Sequence, residues 1–106
     1  MNVGICIYSN DPETVFNALR FGNFALGMGD EVKLFLMGKG VETETLDLGD
    51  FKISEQIGIF LEEGGTTFGC GACLDIRHSD PSAACPRSTM MDFYEMVEWA
   101  DKVVTF

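Results

Sequence analysis

Residues 3–26 read VGICIYSNDPETVFNALRFGNFAL, an apolar run and an amphipathic run with a turn between them. Val3 to Tyr8 is short, apolar and rich in β-branched residues, the pattern of a buried strand. Ser9, Asn10 and Asp11 end it. Asp11 before Pro12 and Glu13 is a helix start, because the carboxylate can accept the orphan amide hydrogens of a first turn and proline has none to leave unpaired. Val15, Leu19, Gly22 and Leu26 then recur at helical spacing, with Ala18 and Ala25 beside them, as far as the breakers Gly27 and Gly29.

The same alternation continues along the chain. Val32 to Met37 is a second apolar strand, stopped at Gly38-Lys39-Gly40. After a polar connection from Glu42 to Asp50, Ile53, Ile57, Phe60 and Leu61 mark a second helix that ends at Gly64-Gly65. Thr66 to Gly69 is a third strand. Thr89 with Asp92 fits a capping box for a last helix, whose apolar face is expected to be Met90, Phe93, Tyr94 and Val97, and Val103 to Phe106 closes the chain as a strand. Apolar strands alternating with amphipathic helices predict an α/β fold: a single three-layer domain over residues 1–106, with a mainly parallel central sheet flanked by helices. In such sheets ligands bind where the loops leave the carboxyl ends of the strands. Three segments are expected there: Tyr8 to Asn10, Met37 to Gly40, and the loop beginning at Cys70.

A length of 106 residues with 46% hydrophobic and 23% charged residues fits one ordinary globular domain. The formal charge of −10 repels phosphate backbones and anionic lipid, so neither nucleic acid nor a membrane surface is expected as a partner. No apolar stretch approaches a bilayer span. The first cation is Arg20, so the positive start of a secretory signal is missing and a cytoplasmic location is expected. Four cysteines in such a chain read as thiols, metal ligands or catalytic groups rather than a disulfide framework.

The window from Cys70 to Arg87, CGACLDIRHSDPSAACPR, differs in kind from the rest. It holds Cys70, Cys73 and Cys85, the only histidine, His78, and two arginines balanced by Asp75 and Asp80. All the net acidity therefore lies outside it. A thiolate is the sulfur nucleophile, and nearby cations favour it while a negative field opposes it. Arg77 is the fixed cation and His78 a switchable one. Arg77 either binds an anionic persulfide or pairs with Asp75 or Asp80. Cys70-Gly71-Ala72-Cys73 brings two sulfurs close enough for exchange or for sharing a metal, and Gly71 is expected to leave the backbone beside Cys70 open to a sulfur donor.

A strand leading into C-G-x-C, an arginine seven residues after the first cysteine, and a final strand over Ala100 to Phe106 together resemble the DsrE/DsrF-like family, especially its YchN-type members. The resemblance covers essentially the whole chain. It implies a parallel α/β fold, homo-oligomers of three or six copies, and a cysteine that carries sulfur as a persulfide between donor and acceptor proteins. Cys70 matches the cysteine that accepts sulfur in the relay members, and Cys73 a second cysteine found in some of them. The chain departs from the family pattern at His78, where many relatives have glycine, and in the proline-containing loop that carries Cys85.

The leading function is thus a sulfur carrier with Cys70 as acceptor, Cys73 or Cys85 resolving, and Arg77 and His78 assisting; it calls for no cofactor. Three alternatives stand beside it. Cys70, Cys73, His78 and Cys85 form a C-x2-C-x4-H-x6-C set suited to zinc or an iron-sulfur cluster. A thioredoxin-type oxidoreductase would also use C-x-x-C, although here the motif lies late in the chain. A structural oligomer would leave the cysteines incidental. Cys6, between Ile5 and Ile7, reads as core, Met90, Met91 and Met96 as core or subunit packing, and Glu42, Glu44, Asp47 and Asp50 as solvated surface.

Overall fold

The Asp11 carboxylate accepts the Thr14 amide at 2.9 Å, and Pro12 follows it at the start of the first helix. This cap fixes where the chain turns back after its first strand. In the computed structural model, which describes residues 1–106, the elements are β1 (Asn2–Ile7), α1 (Pro12–Gly27), β2 (Glu31–Leu36), a 3-10 helix (Gly38–Thr45), α2 (Ile53–Glu62), β3 (Thr66–Cys70), α3 (Gly71–Ile76), β4 (Arg87–Ser88), α4 (Met90–Trp99) and β5 (Lys102–Thr105).

The five strands form one sheet in the order β4-β3-β2-β1-β5, and every pairing is parallel. Val3, Ile5 and Ile7 of β1 and Val32, Leu34 and Leu36 of β2 point to one face, where α1 supplies Val15, Ala18, Leu19 and Ala25 and α2 supplies Ile53, Ile57 and Phe60. Gly22 is where α1 meets both neighbours: a Cβ there would lie 3.2 Å from Ile5 and from Phe60. Cys6 is buried in β1, as its neighbours predict.

The opposite face is covered by α4. Phe35 packs edge-on against Phe93 with ring centroids 4.9 Å apart and stacks beside Phe68 at 6.0 Å. The capping box of Thr89 and Asp92 forms as expected. The apolar face of α4 does not. Met96 is buried, whereas Met90, Tyr94 and Val97 are exposed. The reason lies in β1: Gly4 has no side chain, and Met96 and Ala100 occupy the space its Cβ would approach to 3.3–3.4 Å. That contact turns Phe93, Met96 and Ala100 toward the sheet and leaves Met90, Tyr94 and Val97 outside.

A second difference is the segment after β2. Gly38 to Thr45 is a 3-10 helix, not the start of an irregular connection. Gly38 takes a positive φ of 56°, and Gly40 packs so tightly on the end of β1 that a Cβ would lie 2.0 Å from the Ile7 carbonyl oxygen. The Thr43 hydroxyl donates to the Gly40 carbonyl at 2.6 Å and closes the turn. No helix is long and apolar enough to cross a membrane.

Candidate functional site

The parallel sheet delivers the ends of β1, β2 and β3 to one edge, and the cysteine pair sits there. Cys70 is the last residue of β3 and the residue that hands the chain to α3; Cys73 lies in the first turn of that helix. Their sulfurs are 3.0 Å apart, with the Cys73 thiol donating to Cys70. The Gly38 amide, at the start of the 3-10 helix, donates to the Cys73 sulfur at 3.2 Å. Both thiols are partly buried and unpaired by any disulfide. Burial and then the hydrogen bond to Cys70 push the Cys73 thiol up, while the Gly38 amide and the Arg77 guanidinium act in the other direction.

Arg77 does not pair with Asp75 or Asp80. Its Nε donates to Glu42 Oε2 at 2.8 Å, and its Nη1 donates to the Cys73 carbonyl oxygen at 3.2 Å. Asn10 Nδ2 donates to the other Glu42 oxygen at 3.3 Å. Three loops at the strand ends are thereby tied together, and Arg77 with Asn10 holds the Glu42 carboxyl below the usual carboxylate range. Asp75 belongs instead to Arg87, through two bonds of 2.6 and 2.7 Å. Glu42 is therefore no free surface acid. Glu44 also folds over the cysteine loop, accepting from the Ser82 hydroxyl, so the loop is electrically balanced in sequence but not isolated from the acids of the 3-10 helix.

His78 is exposed and ends α3. Its amide donates to the Asp75 carbonyl and the Ser79 amide to the Leu74 carbonyl, each near 3.0 Å, the hydrogen-bond pair of a Schellman cap. The cap needs a left-handed residue, and His78 has φ 51°. A glycine would meet the same demand without a Cβ penalty.

Cys85 is buried, 3% exposed, and fills the space where a Cβ on Gly69 would stand. Burial, then Glu44 and Cys70, push its thiol up to about 11. The backbone at Gly71 is not open: Gly71 is buried, and a Cβ there would lie 3.0 Å from the Ser88 carbonyl oxygen and 3.2 Å from Arg87. Cys70, Cys73, His78 and Cys85 do not converge, and no three histidine, cysteine, aspartate or glutamate side chains are grouped to hold a metal ion. Two surface cavities of about 260 and 300 Å³ involve no cysteine; the first is lined by Asp30, Glu31, Lys33 and Glu63, the second by Met1, Phe21, Phe24 and Met28.

Glu42, Gly38 and Asn10 had no signal in the sequence. Glu42 and Arg77 are separated by 35 positions, and Asn10 and Glu42 by 32, so only the fold brings them together. The available hint was coarser: the segments Tyr8 to Asn10 and Met37 to Gly40 were expected at the same sheet edge as Cys70.

The fold and site define a small all-parallel α/β protein with a close thiol pair at the carboxyl edge of its sheet. The chain belongs to the DsrE/DsrF-like family, which it matches over residues 1–106. It is 30% identical over 100 residues to an uncharacterised protein of Methanocaldococcus jannaschii, an alignment that spans 89% of this chain and 88% of the other. Its fold matches the crystal structure of the ychN protein of E. coli with a TM-score of 0.84 at 23% identity, covering the whole of both chains. A conserved protein of unknown function from Bacteroides thetaiotaomicron matches with a TM-score of 0.71 at 17% identity, over 99% of this chain and 94% of the other.

Proposed function

We propose that the protein is a sulfur carrier in which Cys70 takes up sulfane sulfur as a persulfide and Cys73 resolves it. Membership of the DsrE/DsrF-like family is consistent with a sulfur-relay role. The observation that carries the assignment to these residues is the 3.0 Å sulfur pair at the sheet edge. With thiosulfate as donor, the Cys70 thiolate attacks the outer sulfur, a new S–S bond forms, and sulfite leaves with the electron pair of the broken bond. An acceptor thiolate then attacks the terminal sulfur, forms its own persulfide, and returns Cys70 as a thiolate. In the resolving branch the Cys73 thiolate attacks the inner sulfur instead. The Cys70–Cys73 disulfide forms, hydrosulfide leaves, and the two cysteines are oxidised as the carried sulfur is reduced.

Support for Cys73 over Cys85 as the resolving thiol comes from access. Cys73 touches Cys70, whereas Cys85 is buried and its thiol is pushed up to about 11. At pH 7.5, a thiol of that strength is ionised in well under roughly one molecule in a thousand. Intact mass after incubation with thiosulfate or polysulfide tests the proposal. One added sulfur atom on Cys73→Ser, where nothing resolves the persulfide, and none on Cys70→Ser is expected; no adduct on Cys73→Ser, or an undiminished adduct on Cys70→Ser, overturns it.

Assembly with further copies of the chain, as trimer or hexamer, belongs to the same proposal. The outer side of α4 supports it, since Met90, Met91, Tyr94 and Val97 are all more than 40% exposed on one short helix. Sedimentation should give a multiple of the chain mass, reduced toward one chain by Tyr94→Lys with Met91→Lys. A monomeric wild type would contradict it.

A further inference from the structure

Arg77 is the cation that bonds the backbone of a site cysteine, and its charge is already engaged. Nε is bound to Glu42 at 2.8 Å and Nη1 to the carbonyl oxygen of Cys73 at 3.2 Å. Glu42 is itself held from the other side by Asn10. It stands on the 3-10 helix whose first amide, at Gly38, donates to the Cys73 sulfur. One carboxylate thus touches the arginine that favours a thiolate and belongs to the element that contacts the thiol.

We propose that Glu42 is a positioning residue that restrains the reactivity of the Cys70–Cys73 pair by holding Arg77 in a fixed, neutralised ion pair. The proposal deepens the sulfur-carrier assignment and rests on it for its biological meaning. While Glu42 is paired, the field of the guanidinium at the sulfurs is offset by an anion 2.8 Å from it. When Glu42 is neutralised or displaced, Arg77 stays anchored by the Cys73 carbonyl and its full charge favours the thiolate. The pair is partly exposed, with 26% of the Arg77 side chain and 35% of the Glu42 side chain accessible, so an incoming group can reach it and salt screens it.

The other charged groups around the site do not substitute for this pair. Lys39, on the 3-10 helix, favours ionised Glu42. Glu44 acts on buried Cys85. Asp75 is taken up by Arg87. Asp11, after β1, accepts from Thr14, and His78 lies exposed beyond the end of α3.

The test is the pH dependence of iodoacetamide alkylation at Cys70 and Cys73, followed by peptide mapping on the intact chain. It is compared among wild type, Glu42→Gln, Arg77→Gln and the double variant. Glu42→Gln is expected to move the midpoint of the pair down by about half a unit and raise the rate at pH 7 about threefold. In the Arg77→Gln background the same change should have less than half that effect. Asn10→Ala, which loosens Glu42 without changing any charge, should give a smaller shift in the same direction. An unchanged midpoint in Glu42→Gln and Asn10→Ala, or an equal shift with and without Arg77, overturns the proposal. Because alkylation uses no sulfur donor, a failed persulfide assignment shows separately, as reactive thiols that never gain sulfur.

Discussion

The Cys73 sulfur lies 3.0 Å from that of Cys70 and receives the Gly38 amide at 3.2 Å. A disulfide between them needs the sulfurs to close by about 1 Å, toward the usual bond of about 2.05 Å. Oxidation by polysulfide or by a small disulfide is therefore expected to give one intramolecular bridge, Cys70–Cys73. Cys73→Ser should keep the persulfide on Cys70 and stop release of hydrosulfide. Mapping of the oxidised chain checks it; a bridge to Cys85 or Cys6 would contradict the resolving role.

Two glycines of different surroundings test the placement of the 3-10 helix. Gly40 has the Ile7 carbonyl oxygen where its Cβ would be, so Gly40→Ala should destabilise by about 2 kcal/mol or more, as overpacking does. It should also weaken the contact between Gly38 and Cys73. Gly58 is exposed inside α2 with nothing within 4 Å of its would-be Cβ. Gly58→Ala should stabilise by about 0.5–1 kcal/mol. Urea midpoints read both, and a tolerated Gly40→Ala would contradict the close approach.

Stability at alkaline pH is set in part by Cys85. Its thiol is pushed from the ordinary 9.0 up to about 11 in the folded chain. Between those values the unfolded chain has released the proton and the folded chain still holds it, so stability falls as pH rises. Buried Cys6 acts with the same sign. The urea midpoint should decline from about pH 9 to 11, and decline less steeply in Cys85→Ala. Equal slopes in the two proteins would contradict the buried, protonated state of Cys85.

What the sequence made legible is what repeats along it. Apolar runs and helical spacing located β1, β2, β3 and β5 and the helices α1, α2 and α4, because burial against the sheet leaves that pattern; the two-residue β4 and the six-residue α3 are too short to leave one and were not located. The cap at Asp11 and the capping box at Thr89 were legible because they act within four residues. Non-local contacts were not. Gly38 to Thr45 has no apolar period, and its 3-10 helix depends on Gly40 meeting Ile7 across the fold. Glu42 looked like a surface acid until the sheet edge brought it to Arg77. The face of α4 was misread because the missing side chain at Gly4, more than ninety positions away, decides which residues of the helix approach the sheet. His78 was legible as a departure from the family pattern, but its place as a left-handed helix cap required the backbone.

The central claim is that Cys70 carries the sulfur. The most direct measurement is to load the intact chain with polysulfide, trap with an alkylating reagent that distinguishes persulfide from thiol, and locate the added sulfur by peptide fragmentation. One extra sulfur is expected on Cys70 of Cys73→Ser, with the wild type carrying either that sulfur or the Cys70–Cys73 disulfide that its release leaves, and with neither in Cys70→Ser. Added sulfur on Cys73, Cys85 or Cys6 of the wild type, or on no cysteine of Cys73→Ser, would contradict it.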